Sequence, residues 1–213
     1  MRASRWFFVM LVGCALSGVP SGAAEAEGRP ADLFQLSYDA EAAGKVQDAL
    51  AALDRLPAPQ KDGYVAELRR GWLYHKLGRN KEAVDAYGRA SALEPRSVES
   101  RVGALLPQMA LRRWADVEAT ARKALQLDPA NYLASLRLAF ALYNLARYPE
   151  AATIYGRLAE MYPSDVEVRS GLGWSLLKMG KGGDAARELR RVLDIAPKHA
   201  LARDGLRAAG VSN

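Results

Sequence analysis

Four prolines recur at an interval of 34 residues, and this spacing constrains the fold more than any other feature of the 213-residue sequence. They are Pro95, Pro129, Pro163 and Pro197. Proline interrupts helices, and a fixed period of about 20 to 50 residues marks a repeat architecture. The sequence therefore predicts an array of short, equivalent structural units.

The clearest unit is the stretch from Tyr64 to Pro95, which is predicted to form two short helices packed on each other. Gly71 and Ala83 are small at the positions where the helices would cross. Gly78 separates the two helices, and Pro95 ends the second one. Alanine and leucine dominate the whole chain, a composition that favours helix over strand.

Two slots of small residues recur with the same period and mark the predicted crossing of the paired helices. On the first helix the slot holds Ser37, Gly71, Leu105, Ala139 and Gly173. On the second helix it holds Ala49, Ala83, Val117, Ala151 and Ala185. Small side chains let two helix backbones approach closely, while larger neighbours fill the gaps around them.

Three further slots recur on the second helices, and the first two are predicted to bury against the following unit. The first holds Leu53, Tyr87, Ala121, Tyr155 and Leu189. The second holds Leu56, Ala90, Ala124, Leu158 and Val192. The third, predicted to close each unit before its proline, holds Leu93, Leu127, Met161 and Ile195.

Residues at the predicted helix ends agree with this division of the chain. Ser97, Asn131 and Asp165 precede first helices and can accept hydrogen bonds from exposed backbone N–H groups. Gly44, Gly78 and Gly180 follow first helices, where a left-handed backbone conformation ends a helix.

A helix–turn–helix unit of 34 residues resembles the tetratricopeptide repeat family, well over residues 64–199 and weakly over 30–63. The resemblance implies an all-α, right-handed superhelical stack of about five repeats with a C-terminal capping helix, together covering residues 30–209. The expected repeats are 30–63, 64–97, 98–131, 132–165 and 166–199, followed by a cap at 200–209 and a tail at 210–213. The family's usual tryptophan early in the first helix is absent, since Glu67, Arg101, Ser135 and Arg169 occupy that slot.

Residues 1–24 are predicted to be a cleaved signal peptide for export, followed by a short linker at 25–29. Two arginines precede an apolar run from Trp6 to Leu16, which is shorter than the roughly 20 residues of a membrane span. Small residues near Ala24 and Ala26 suit a signal peptidase. The expected location is the periplasm of a bacterium.

A second interpretation of the leader centres on Cys14, the only cysteine in the sequence. Leu11 to Cys14 resembles the bacterial lipoprotein box, in which lipidation of the cysteine anchors the mature protein. The chain would then be an outer-membrane lipoprotein, and membrane association would depend on that lipid. The short apolar run before Gly13 and the cleavage region downstream favour ordinary secretion.

Stacked repeats of this family curve so that the first helices line a concave wall, and that wall is the candidate partner-binding groove. The residues predicted to face it are Phe34, Tyr38, Trp72, His75, Met109, Phe140, Tyr143, Asn144, Trp174 and Lys178. Several belong to one recurring slot, which holds Tyr38, Trp72, Leu106, Phe140 and Trp174. The aromatic side chains of this slot allow two interpretations. They can bind a peptide or a helix of a partner, or they can pack against neighbouring helices inside the stack.

Other classes of function find little support in the sequence. The net charge of +6 is spread along the chain without a block of like charge, which argues against nucleic-acid binding. The two histidines lie in different units, and motifs for a metal site, a phosphate loop or a nucleophile are missing. The chain is therefore predicted to be non-catalytic, without cofactor or metal.

The function predicted from these features is a protein–protein interaction scaffold, an adaptor or assembly factor of the bacterial envelope. One alternative is a pilotin-like lipoprotein that assists assembly of a secretion, pilus or polysaccharide-export machine. Another is a structural protein that self-associates into homo-oligomers. A clamp for a C-terminal carboxylate is disfavoured because the wall slot that would supply it lacks basic residues: Phe34, Leu68, Val102, Leu136 and Ser170.

Overall fold

The computed structural model describes residues 28–210, and all regular secondary structure in this part of the chain is helical. Helices α1 to α11 are Pro30–Ala42, Val46–Asp54, Tyr64–Lys76, Asn80–Leu93, Val98–Ala110, Trp114–Leu127, Tyr132–Asn144, Tyr148–Met161, Val166–Lys178, Gly182–Ile195 and Ala200–Ala208. A short 3-10 turn, Gln60–Asp62, precedes α3. The predictions for the signal peptide, for Cys14 and for the last three residues fall outside the described residues.

The helices pack in chain order as antiparallel pairs, α1 with α2 through α9 with α10, and each second helix also packs against the first helix of the next pair. First helices of successive pairs touch one another, from α3 with α5 to α9 with α11. Within the described chain, second helices have no comparable mutual contacts. The first helices therefore lie on the inner side of the curve, and α11 covers the last pair. This arrangement confirms the predicted fold class.

Helix termini carry the signals expected from the sequence. Ser97, Asn131 and Asp165 accept hydrogen bonds from backbone N–H groups of the first turn that follows. Gly44, Gly78 and Gly180 have φ values of 73° to 77°. Arg112 and Ala146 occupy the same position in the other two pairs, with φ values of 54° and 60°. This left-handed conformation is energetically unfavourable for any residue that has a Cβ atom.

The crossing slots are buried, and the glycines there face a large side chain of the second helix, Tyr87 at Gly71 and Leu189 at Gly173. A Cβ atom on Gly71 would lie 2.8 Å from Cδ2 and Cε2 of the Tyr87 ring, and one on Gly103 of the next unit would overlap Cε1 of the same ring. Tyr155 meets Gly171 in the same way. Burial raises the pKa of Tyr87 to about 12. The glycines thus leave room for an aromatic ring between consecutive units.

The slot predicted to close each unit does not do so, and that prediction is wrong. Its side chains, Leu93, Leu127, Met161 and Ile195, are 40 to 63% exposed. Each of them is the last residue of its helix, as Leu93 is in α4. Because they hold equivalent positions in four successive repeats, these side chains form a row of exposed apolar residues, called the apolar stripe below.

Candidate partner-binding grooves

Two grooves lie between first helices of the stack. The N-terminal groove, about 340 Å³, is bounded by α1, α3 and α5 and is lined by Tyr38, Glu41, Val65, Leu68, Arg69, Trp72, Tyr87, Glu99 and Gly103. The C-terminal groove, about 490 Å³, is bounded by α7, α9 and α11 and is lined by Phe140, Tyr143, Tyr155, Val166, Glu167, Ser170, Gly171, Trp174, His199 and Leu201.

The two grooves occupy equivalent places in the stack, three repeats apart. Tyr38 and Trp72 in the first correspond to Phe140 and Trp174 in the second. A buried tyrosine of a second helix contributes to each groove. The recurring aromatic slot of the first helices is therefore the feature that both grooves share.

Glu41 organises the polar interactions of the N-terminal groove. Its Oε1 accepts hydrogen bonds from Trp72 Nε1 at 2.6 Å and from Lys76 Nζ at 3.1 Å, and its Oε2 accepts one from Arg69 Nη1 at 3.0 Å. Burial alone would raise the pKa of Glu41, but these three donors outweigh it, so the pKa lies below its ordinary value. Glu41 therefore joins α1 to α3 as a carboxylate.

Arg69 is buried in the wall of this groove. Its Nε donates to Ser37 Oγ at 2.7 Å, and its guanidinium lies 3.6 Å from the centre of the Tyr38 ring. The ring itself is 52% exposed, so it separates the guanidinium from solvent. Sequence periodicity gave no signal for this residue, because a helical pattern does not show which charged side chains become buried.

The C-terminal groove is largely apolar and is completed by the capping helix. The Phe140 ring packs edge-on against Trp114 with centroids 5.6 Å apart. Trp174 Nε1 donates to the backbone oxygen of Leu201 at 3.2 Å, which joins α9 to α11. His199 Nδ1 caps α11 by accepting from the Ala202 N–H. Leu201 is 58% exposed and forms one wall.

The structure places five of the predicted groove residues in the grooves: Tyr38, Trp72, Phe140, Tyr143 and Trp174. The other five lie elsewhere: Phe34, His75, Met109, Asn144 and Lys178.

The five predicted residues that do not line a groove make contacts elsewhere or are exposed. Phe34 and Met109 pack against core clusters. His75 Nδ1 is 2.7 Å from Asn80 Oδ1, and Asn144 donates to the Phe140 carbonyl of its own helix. Lys178 is exposed and lines neither groove. The groove residues that were missed include polar ones, such as Glu41 and Arg69, apolar ones, such as Val65 and Tyr155, and Leu201 of α11, whose approach to α9 depends on tertiary packing.

Residues 28–210 offer neither a membrane-spanning helix nor a cluster of metal ligands. In this range no helix has the length and apolar character needed to cross a membrane. Among the same residues, no group of three or more histidine, cysteine, aspartate or glutamate side chains is placed to hold a metal ion.

The fold and its grooved inner wall define a helical-repeat protein. Sequence profiles described as tetratricopeptide repeat match residues 68–97, 108–173 and 147–209. The chain therefore belongs to the tetratricopeptide repeat family. A comparison with curated proteins gives no match.

Solved structures of low sequence identity share the fold. YrrB, described as a TPR protein with an unusual peptide-binding site, superposes with a TM-score of 0.75 at 17% identity, covering 86% of this chain and 95% of YrrB. A MamA crystal structure gives a TM-score of 0.72 at 14% identity, covering 80% and 93%. TTC0263, a TPR protein of Thermus thermophilus, gives 0.60 at 19% identity, covering 85% and 98%.

Proposed function

We propose that this protein is a non-catalytic scaffold that binds a peptide or helix of a protein partner along its concave wall. The observation that carries the proposal is the C-terminal groove, an open apolar surface of about 490 Å³ walled by Phe140, Trp174 and Leu201. Ligand sites commonly have volumes of about 300 to 1,000 Å³ and largely apolar walls. YrrB, which has the same fold, is described as having a peptide-binding site.

The groove chemistry suits an apolar anchor residue on the partner. Partly exposed aromatic rings offer large contact areas at low entropic cost, and such residues dominate the binding energy of many interfaces. The two grooves, three repeats apart, give a partner segment two places to dock. A helix or an extended peptide with apolar side chains is the partner expected for this wall.

The cellular setting that we propose is the bacterial envelope, where the protein acts as an adaptor or assembly factor. The support for export is the leader at residues 1–24. Mass spectrometry of the mature protein tests this setting. A mature chain that begins near Glu25 or Glu27 agrees with a periplasmic protein, whereas a lipid-modified Cys14 would establish the lipoprotein alternative.

Binding is tested with peptides selected by display from a random library against the mature protein. Leu201→Ala removes an exposed side chain from the wall of the groove. We expect it to reduce the binding free energy of a selected peptide by about 1 kcal/mol or more. Leu133→Ala is the matched control, because Leu133 holds the equivalent repeat position, is 47% exposed and lines neither groove. Equal affinities of the two variants, measured by calorimetry, would contradict the proposal.

Self-association is a second candidate, and one observation favours it. The apolar stripe of Leu93, Leu127, Met161 and Ile195 runs along one edge with 40 to 63% exposure. Exposed apolar surface of this kind is often an interaction face. Sedimentation velocity across a hundredfold range of concentration tests it: Leu127→Lys should dissociate an oligomer, and a wild-type protein that stays monomeric throughout would exclude one.

A further inference from the structure

The first helix pair presents a face that is covered in every later pair. Each later first helix, and α11, packs against the second helix that precedes it, whereas α1 has no preceding helix in residues 28–210. Leu36 on α1 is 44% exposed, but its equivalents Arg70, Ala104 and Leu138 are only 4 to 7% exposed. The outer face of α1 and α2 is therefore a stacking surface without a partner in the described part of the chain.

The outer face forms a groove of about 420 Å³ between the two helices. Leu36, Ala40 and Ala43 line it from α1, and Ala51 and Ala52 line it from the middle of α2. Small side chains at the centre of a helix allow another helix to approach closely. Because a helix fills the equivalent place in every later pair, the shape of this groove suits a helix as its occupant.

Three exposed charged residues of the α2 side complete the groove, Lys45, Asp48 and Arg55. Among residues 28–210, none of the three takes part in an ion pair. The equivalents of Asp48 in the next two pairs, Glu82 and Asp116, each pair with an arginine three residues earlier, at 3.0 Å and 2.5 Å. The outer face thus carries opposite charges that are available to a second molecule.

The order of these charges along α2 is self-complementary. Asp48 lies three residues before Ala51, and Arg55 lies three residues after Ala52. A two-fold axis between the two alanines relates antiparallel copies of α2 and places Asp48 of each copy opposite Arg55 of the other. The interface would then hold two equivalent carboxylate–guanidinium pairs on either side of a close contact between alanines.

We propose that two copies of this protein form a two-fold dimer through the outer face of α1 and α2, with α2 of each copy lying in the groove of the other. Such an interface is isologous and closes after two copies. It is separate from the apolar stripe and from both grooves of the inner wall, so it does not depend on the proposed function. The dimer joins two inner walls, and a partner with two docking segments gains affinity from binding both.

Sedimentation velocity of the mature protein up to about 500 µM tests the proposal, because an interface of two short helices is small and should dissociate reversibly. We expect a concentration-dependent dimer of the wild type. Asp48→Arg and Arg55→Asp each bring like charges together at the two-fold axis, and each should weaken the dimer at least tenfold. A wild-type protein that stays monomeric overturns the inference and leaves the outer face to a helix of another protein.

Restoring the charge pairs separates recognition from folding. The double variant Asp48→Arg/Arg55→Asp should regain the dimer, since the pairs reform with reversed signs. An equimolar mixture of the two single variants should also dimerise, because one copy then carries two arginines and the other two aspartates at these positions. Failure of both the double variant and the mixture to dimerise contradicts the two-fold arrangement, as does a single variant that dimerises like the wild type.

Two controls keep this interface distinct from the other surfaces. Leu127→Lys changes the apolar stripe and should leave the dimer intact, and loss of the dimer in this variant would assign it to the stripe and overturn the inference. Asp48→Arg should bind a display-selected peptide with unchanged affinity per copy, since Asp48 lines neither groove of the inner wall. Peptide binding by a monomeric wild type would leave the proposed function intact while the dimer fails.

Discussion

Tyr87 fills the space that two glycines leave open, and it thereby sets how closely three helices approach. Gly71 on α3 and Gly103 on α5 face the ring from consecutive units, and Tyr87 is only 4% exposed. Any added side chain at either glycine meets an aromatic ring held on both sides. In such a close-packed contact, a single larger side chain changes the distance between neighbouring repeats.

Alanine at Gly103 is expected to destabilise the protein by about 1 to 3 kcal/mol, because the new Cβ atom overlaps the Tyr87 ring. Gly88→Ala is the control on α4, where a Cβ atom meets nothing within 4 Å. That substitution should stabilise by about 0.5 to 1 kcal/mol, since glycine is unfavourable inside a helix. Urea denaturation measures both. Equal effects of the two substitutions would show that the Tyr87 ring can move aside without an energetic penalty, which contradicts the prediction.

Ala146→Gly is expected to stabilise the protein by up to about 1 kcal/mol. Ala146 has a φ of 60°, and glycine adopts this conformation without the cost that a Cβ atom imposes, although its unfolded state is more flexible. Gly180→Ala, at the equivalent turn with a φ of 77°, should have the opposite sign. Thermal denaturation of the two variants checks the pair, and a loss of stability in Ala146→Gly would contradict it.

At the scale of helices, Glu41 links the first two pairs through three donors from α3. Helix α1 contributes one carboxylate, and α3 contributes Arg69, Trp72 and Lys76. The carboxylate is held in its charged form, since its pKa lies below the ordinary value. A group whose pKa is lower in the folded state stabilises that state above the ordinary pKa and loses this effect as the pH falls.

Glu41→Gln should therefore lower the free energy of unfolding at pH 7, while the difference from the wild type should shrink as the pH falls below about 4.3, the ordinary value for glutamate. The neutral amide accepts weaker hydrogen bonds than a carboxylate and leaves two cations without a counter-charge. Urea denaturation between pH 3.5 and pH 7 provides the measurement. A difference that stays constant over this range would mean that the charge of Glu41 is unimportant.

Much of the helical architecture could be predicted, because each signal is local. The period of the prolines, the caps at Ser97 and Asn131, and the glycine turns such as Gly78 depend on residues close in sequence. The exposure of Leu93 and its equivalents was missed, because burial at the end of a helix depends on whether a neighbouring element extends over it. Local signals therefore specify helices more reliably than their outer contacts.

The candidate site was predictable only in its apolar part. The aromatic slot of Trp72 and Trp174 follows from helical periodicity, and the structure places both residues in grooves. The pairing of Arg69 with Glu41 joins residues in different repeats, and no spacing rule within one helix indicates it. The contribution of Leu201 was likewise missed, since the sequence pattern of α11 indicates only a helix that covers the end of the stack.

In the molecule as a whole, the second helices supply much of the core between units, and the first helices supply the exposed inner wall. Core slots on the second helices, such as Tyr87 and Leu189, are buried and hold consecutive units together. First helices leave aromatic side chains partly exposed on the inner wall, in grooves three repeats apart. Repeat stacks of this kind offer long concave surfaces for binding. We therefore propose that partners bind to this wall.

Photocrosslinking with a display-selected peptide tests whether partners bind to the concave wall. The photoreactive residue p-benzoylphenylalanine is placed at the position of Leu201 in the C-terminal groove and, in a second protein, at the position of Ala92, which is exposed on α4. We predict a peptide adduct from the Leu201 position and none from the Ala92 position. Equal adducts from both positions, or an adduct from Ala92 alone, would contradict binding at the concave wall.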